Sequence, residues 1–294
     1  MSRTASHRSA FVAALVALAA TLAATLAATL AVTLAGSVVS AAQATPPIVV
    51  IGATAKSSTE IIQQALAAGH EVIGIARRPG DVTIRDHRLR ILKGDVYDQA
   101  SLEAAMTGRE VVISMVGPRV DPTDTAETPP TFDLFTTGTA NIIAAMKKKG
   151  NRRLLVASSL GVEDEFPTVK PAPGDFRLGW LWKSRYLYKN MKDMEGVVRA
   201  SGLEYVIFRP PFLVEEPARR DYKLSINTDS PKGTMMTYAD FGAFVLEQVS
   251  GNQYLGSSVG MYTDRPLKFG ENADLDKLAR EAKEKFDRAN AKQP

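Results

Sequence analysis

The chain contains no cysteine. That excludes disulfides, thiolate metal sites and a cysteine nucleophile. Histidine is nearly absent. His7, His70 and His87 are the three present, and none has a partner at metal-ligand spacing. No bound metal is expected. Stripes that mix aromatic and basic residues are missing too. Acids nearly balance bases, 32 against 36. The basic cluster of Lys147, Lys148, Lys149, Arg152 and Arg153 brackets a predicted helix end, where cations offset the helix dipole. No nucleic-acid partner is expected.

The opening segment carries Arg3, His7 and Arg8 and no acid, but no Arg-Arg pair precedes its apolar stretch from Phe11 to Val39. Twin-arginine export therefore has no support. Ser40-Ala41-Ala42-Gln43-Ala44 follows, with the small residues of a signal-peptidase site. Residues 1–44 read as a signal peptide, which would send the protein to the periplasm or outside the cell. The apolar stretch exceeds the roughly 7–15 residues of a usual signal and meets the about 20 needed to span a bilayer. A retained membrane anchor is thus the alternative, and membrane contact is expected through this segment alone.

From residue 45 onward, short Val/Ile-rich runs alternate with helical patterns. Strands are predicted at Ile48–Ile51, Val72–Ala76, Leu89–Leu92, Val111–Met115, Leu154–Ala157 and Tyr205–Phe208. Helices are predicted at Glu60–Ala68, Leu102–Met106, Phe132–Lys149 and Arg185–Ala200. Continuous apolar strands separated by helices argue for an α/β, Rossmann-like, doubly wound parallel sheet covered on both faces. After Arg209-Pro210-Pro211 the rhythm changes. Lys223–Asn227 and Ser257–Tyr262 look like strands, and Thr237 with Asp240 starts a helix to about Val249, forming a small substrate-side extension. The expected division is a Rossmann domain over 45–270 and a charged helix or tail over 271–294. Two polar, Pro-rich stretches, Gly117–Pro130 and Gly161–Gly179, follow the fourth and fifth strands, at the sheet end where such folds meet their ligand. Asp121, Asp124 and Glu127 in the first of them read as solvated.

The first strand ends in Gly52-Ala53-Thr54-Ala55-Lys56-Ser57-Ser58. A strand entering a tight small-residue turn delivers a helix N-terminus to a phosphate group. Gly52 allows the turn, and Thr54, Ala55, Lys56, Ser57 and Ser58 would present backbone N–H groups and hydroxyls to a diphosphate. Ala55 and Ser58 occupy two positions where the usual dinucleotide fingerprint has glycine. Arg77 and Arg78 follow the second strand, where the ribose 2′ position falls in such folds. A guanidinium suits a 2′-phosphate, so NADP is preferred over NAD. Asp95 and Val96 after the third strand, and Met115, Val116 and Gly117 after the fourth, would line the adenosine half.

Gly52-Ala53-Thr54 with Lys56, Arg77, Gly94-Asp95 and the run Ser201-Gly202-Leu203-Glu204-Tyr205-Val206-Ile207-Phe208-Arg209-Pro210-Pro211 resemble the atypical short-chain dehydrogenases of the NmrA-like, NAD(P)H-binding type. The Arg-Pro-Pro segment with Thr237-Tyr238-Ala239-Asp240-Phe241 is similar to the biliverdin reductase B branch of flavin reductases. The resemblance spans about Ile48 to Tyr262. It implies a pyridine nucleotide across the sheet edge, with Pro211 and Phe212 flanking the nicotinamide. It also implies a small planar acceptor, a flavin or a quinone-like ring, held after strands four to six. Relatives with full oxidoreductase machinery use Tyr-x-x-x-Lys on one helical face, the ammonium lowering the phenol pKa, with a serine after the fifth strand. Tyr188, Lys192 and Ser158 have that arrangement here, next to Ser159. An aromatic cluster of Trp180, Trp182, Tyr186 and Tyr188 packing a loop is the other reading. In the flavin-reductase branch the pair is dispensable: Ser158 or Ser159 would donate a hydrogen bond, and Trp180, Trp182 and Phe212 would wall the acceptor. A non-catalytic NAD(P)-binding sensor, or an interaction protein that keeps the fold without the cofactor, is the remaining alternative.

Overall fold

The computed structural model describes residues 45–118, 127–171 and 176–266. The expected signal peptide, Asp121, Asp124, the tail over 271–294 and the side chain of Trp180 lie outside the described residues. Among the described residues, no helix is long and apolar enough to cross a membrane.

Strand β1 (Ile48–Ile51) is wholly buried. It pairs in parallel with β2 (Val72–Ala76) on one side and β4 (Val111–Ser114) on the other. Period-two alternation sends its side chains to opposite faces. Ile48 and Val50 join one core with Ile61, Ile62 and Leu66 of helix α1 (Lys56–Ala67) and Phe241 and Phe244 of α5 (Tyr238–Glu247). Val49 and Ile51 join a second core. It contains Leu102 of α2 (Gln99–Glu103), Phe135, Ile142 and Met146 of α3 (Leu134–Lys149), and Met194 and Val198 of α4 (Phe176–Arg199). Burial on both faces is why these strands read as uninterrupted apolar runs.

The main sheet is completed by β3 (Leu89–Lys93), β5 (Arg153–Ala157), β6 (Glu204–Arg209), β8 (Lys223–Ile226) and β10 (Ser257–Tyr262). Its order is β3-β2-β1-β4-β5-β6-β10-β8. Every neighbouring pair is parallel except the edge strand β8, which runs antiparallel to β10. The first six strands follow the Rossmann order, which reverses between β1 and β4 and opens a crevice at their carboxyl ends. The extension adds a separate two-stranded parallel pair, β7 (Phe212–Val214) with β9 (Met235–Thr237). These three-residue strands carry no sequence signal of their own.

Helix α4 begins at Phe176, inside the stretch expected to be loop as far as Gly179. The last proline of that stretch is Pro173, so nothing beyond it blocks the helix. The added turns are held by the segment after β4: the Thr128 N–H donates to the Lys183 carbonyl at 3.0 Å, and the Trp182 indole N–H donates to Glu127 at 3.0 Å. At α5 the Thr237 hydroxyl accepts the Asp240 N–H at 2.9 Å and donates to its carboxylate at 2.8 Å. In the basic cluster, Arg153 donates to the carbonyls of Gln248, Val249 and Gly251, closing the chain exit of α5.

Candidate functional site

Gly52 has φ +84°. A Cβ there would lie 2.7 Å from the Met115 carbonyl oxygen. Both observations demand glycine: the left-handed backbone, and the close approach of the chain leaving β4. The Gly52 and Ala53 N–H groups donate to the Ile75 carbonyl at 3.0 Å each, so β1, β2 and β4 all hold the turn. Ala55 stands at the N-cap of α1 and supplies no side-chain acceptor, and the first turn carries no acid. The positive end of this 12-residue helix therefore opens toward the crevice, the arrangement that binds phosphate. Thr54 is exposed, and Ala55 and Ser57 are half-buried at its rim.

Two expected ligands of that turn are placed differently. Ser58 is fully buried, and its hydroxyl donates to the Gly52 carbonyl at 2.8 Å. It clamps helix to turn instead of facing a phosphate, because a buried hydroxyl takes the nearest unpaired acceptor. The Lys56 ammonium meets Glu215, just past β7, at 2.6 Å. Both side chains are more than half exposed, so this pair is weak and exchangeable.

At the carboxyl end of β2 the two arginines part company. Arg78 donates to Asp81 at 2.8 Å within a short 3-10 turn. Arg77 is exposed and has no ion pair among the described residues. Beside it, the β3–α2 turn is pinned. The Asp95 N–H donates to the Ser101 hydroxyl at 3.0 Å, and its carboxylate accepts the Tyr97 N–H at 3.0 Å. Asn141 of α3 donates to the Val96 carbonyl at 2.8 Å. A Cβ on Gly138 would come 2.9 Å from Val96, so α3 presses directly on this turn. Met115 is buried against Gly52, while Gly117 is exposed at the crevice mouth.

Ser158 is buried, and its hydroxyl donates to Glu195 at 2.6 Å. Its proton is thus committed inward and is not offered to an acceptor. The Tyr188 phenol is pushed up to about 12, by burial above all, with the Asp164 charge adding to the rise and a hydrogen bond with Ser159 opposing it. The ring lies against Gly161, where a Cβ would be 2.3 Å away, and stacks on Phe166 with centroids 5.8 Å apart. Lys192 is exposed on the next turn and is not among the charges acting on the phenol. The structure therefore does not assemble the Tyr188–Lys192 acid–base pair. Tyr188 packs the loop after β5, against Gly161 and Phe166. Pro211 and Phe212 are half-buried at the start of β7, with the Pro210 carbonyl accepting the Leu160 N–H at 3.1 Å.

Glu127 is exposed, as its reading as a solvated carboxylate implies, and it is also a junction, accepting from Trp182 and Arg185 and pairing with Lys170 at 3.2 Å. Hydrogen bonds from Trp182 and then Lys170 hold its carboxyl below the usual range. Arg185 lies over the Trp182 ring, 3.6 Å from its centroid.

A buried ionic network escaped sequence reasoning. Glu195 is 0% exposed. It accepts from Arg209 through both carboxylate oxygens, at 2.8 and 2.5 Å, and from Arg199 at 2.8 Å. Arg209 continues to Glu163 at 2.6 Å. Glu163, Glu195 and Arg209 come from the turn after β5, from α4 and from the end of β6, with no short spacing to signal their meeting; only Arg199, four residues after Glu195 on α4, is a local partner. Arg209-Pro210-Pro211 was the legible part. Asp240 is a second such hub: fully buried, it accepts the N–H groups of Arg219 and Arg220 at 2.9 and 3.0 Å and so fixes the loop that carries Glu215.

Comparison with known proteins bears on this crevice. A family described as NAD(P)H-binding matches residues 52–251. The chain is 24% identical over 200 residues to tetraketide alpha-pyrone reductase 1 of Arabidopsis thaliana, covering 58% of this chain and 59% of that protein. It thus spans less than two thirds of the length of that curated relative. Among solved structures, it is similar to ChuY of Escherichia coli O157:H7, described as an anaerobillin reductase, with TM-score 0.56 and 20% identity over 74% of this chain and 97% of the other. It is also similar to a short-chain dehydrogenase/reductase of Veillonella parvula DSM 2008 in complex with NADP, with TM-score 0.55 and 18% identity over 76% and 97% of the two chains. The structural likenesses show the fold.

Proposed function

Given that the chain belongs to the NAD(P)H-binding family, we propose that it transfers hydride from NADPH to a small planar acceptor, a flavin or a quinone-like ring. The observation that carries this reading is the α1 N-terminus, open toward the crevice, with no side-chain cap and no acid, closed beneath by Gly52 and flanked beyond β2 by Arg77. The residues present fit a phosphorylated dinucleotide. The helix end and the Thr54–Ser57 turn would take the diphosphate, Arg77 the 2′-phosphate, and Asp95 with Val96 the adenosine. Lys56 would exchange Glu215 for a phosphate oxygen, since an exposed pair costs little to open. NADPH supplies the hydride, and this chain binds, orients and excludes water.

The acceptor class follows from what the site lacks. Ser158 is committed to Glu195, and the Tyr188 phenol is held protonated far above neutral pH. Reduction of a simple carbonyl needs a positioned proton donor whose pKa suits the working pH. A ring that takes hydride and draws its proton from water does not. This supports the resemblance to the flavin-reductase branch. The same observations favour a second reading, an NAD(P)-binding sensor without turnover. ChuY and the Arabidopsis relative are reductases by name, which tips the choice toward catalysis.

The test is a titration of purified protein with NADPH, followed by nicotinamide fluorescence, and then addition of flavin or quinone with NADPH consumption recorded. Binding with turnover is the expected result. Binding without turnover on any planar acceptor would select the sensor. No binding at millimolar nucleotide would overturn both. Within the same titrations, Arg77→Ala is expected to weaken NADPH about tenfold or more while changing NADH little, because a charge-assisted guanidinium–phosphate pair is lost only with the former. An equal loss for both would remove the 2′-phosphate role.

A further inference from the structure

Beside the adenosine end of the crevice stands a ring that is held in place yet left open to water. Tyr97 follows Asp95-Val96 at the carboxyl end of β3 and is 52% exposed. The other exposed large apolar side chains among the described residues, Val169, Leu178 and Ile226, are aliphatic. The Tyr97 hydroxyl donates to Asp133 at 2.9 Å, and its N–H donates to Asp95 at 3.0 Å. Asp133 is itself fixed, its second oxygen accepting the Thr137 hydroxyl at 2.8 Å. Holding a side chain still costs rotamer entropy, and a ring left half exposed recovers only part of it by apolar burial. A flat ligand laid on the ring would complete that burial.

The surroundings say which ligand. Ala76 pairs in register with Lys93, and the Gly94 N–H donates to the Ala76 carbonyl at 3.1 Å, so Arg77 leaves β2 beside Asp95, whose carboxylate accepts the Tyr97 N–H; the ends of the adjacent strands β2 and β3 thus bring a guanidinium, a carboxylate and an aromatic side chain to one corner. Those are the groups that a purine nucleotide with an extra phosphate would need: cation for the phosphate, acceptor for the exocyclic amine, π-face for the base. The turn beneath is rigid, with Val96 clamped by Gly138 and Asn141 of α3. We infer that Tyr97 is the stacking platform for the purine of the bound nucleotide, a residue that sets adenosine affinity independently of the diphosphate cradle. The inference rests on the NADPH reading and goes beyond it by naming the contact to the base.

Two probes test it: NADPH, followed by nicotinamide fluorescence, and adenosine 2′,5′-bisphosphate, which carries the adenosine half alone, followed by competition. Tyr97→Ala is expected to weaken both by the same factor, about tenfold, because base–aromatic stacking is lost with either. Tyr97→Phe keeps the ring and should stay close to wild type, whereas Tyr97→Leu, apolar but without a π-face, should match the alanine variant. Thermal melts confirm that each variant is folded, as expected for a surface position. The platform is overturned if Tyr97→Ala binds NADPH as wild type does, or if it loses NADPH while the bisphosphate is unaffected. Wild-type protein that ignores both probes would instead bring down the NADPH reading with it. Binding by wild type and Tyr97→Ala alike would leave that reading standing and remove the stacking role.

Discussion

Gly52→Ala is expected to abolish NADPH binding and to cost about 2–4 kcal/mol of stability. The added methyl group meets the Met115 carbonyl oxygen at 2.7 Å, and that oxygen belongs to backbone leaving a central strand. It has no rotamer into which to retreat. The φ of +84° adds a conformational penalty at the same residue. Relief requires the turn to lift away from β4, and the turn is what aims the start of α1 at the diphosphate. Nicotinamide fluorescence should show affinity falling by more than a hundredfold, the scale on which misplaced backbone donors are felt. Gly196→Ala is the matched control. It is exposed on α4 with nothing within 4 Å of the added Cβ, so it should stabilise by about 0.5–1 kcal/mol and leave binding alone. Full NADPH affinity in a folded Gly52→Ala protein would dismantle the cradle assignment.

Glu195→Ala is expected to be the most destabilising single change, about 3–5 kcal/mol. Removing the carboxylate takes from Arg209 its two-oxygen partner and leaves this buried guanidinium with Glu163 alone, and Ser158 loses its acceptor as well; breaking a buried pair by removing one partner is far worse than the pair itself. Glu195→Gln keeps an acceptor and should fall between alanine and wild type. The pH dependence has a definite sign. Burial acts to raise the Glu195 pKa, but the hydrogen bonds from Arg209, Ser158 and Arg199 and the charge of Arg209 outweigh it, holding the carboxyl below its ordinary 4.5. A carboxyl depressed on folding contributes stability that is complete above its unfolded value and is lost as pH falls through the folded one. Wild-type melting temperature should therefore drop as pH falls below about 4.5, and Glu195→Gln should flatten that acid limb. An acid limb identical in both proteins would show that Glu195 is not the group being titrated. The network also ties α4 to the ends of β5 and β6, so its loss should loosen the Ser158 side of the crevice along with the core.

Much of this molecule is legible from residue order because its information is local. β1 shows itself as four branched residues ending at a glycine. α5 shows itself by Thr237 three residues before Asp240. The crevice at the β1/β4 reversal follows once the alternation of strands and helices is recognised, since parallel connections are constrained to one hand and one order. Residue order does not decide between two chemically reasonable partners of the same side chain. Ser58 was suited to a phosphate and took the Gly52 carbonyl. Ser158 was suited to an acceptor and took Glu195. Tyr188 and Lys192 have the spacing of a catalytic pair, but the phenol turned onto Gly161 and Phe166 while the ammonium stayed in water. Spacing of four puts two residues on one helical face without deciding which way either side chain leans.

Chain order was thus sufficient for the doubly wound sheet, for the glycine turn that delivers a helix end to the crevice, and for the two arginines beyond the second strand. Those features depend on periodicity, on backbone conformations open to few residue types, and on neighbours within one turn. The distribution of protons and charges waited on folding. Glu163, Glu195 and Arg209 meet across separate elements. Tyr97, in the turn after β3, is held by Asp133 at the N-cap of α3. Hydrogen-bond partners in a low-dielectric interior are chosen by proximity in space, and that proximity exists only once the layers have packed.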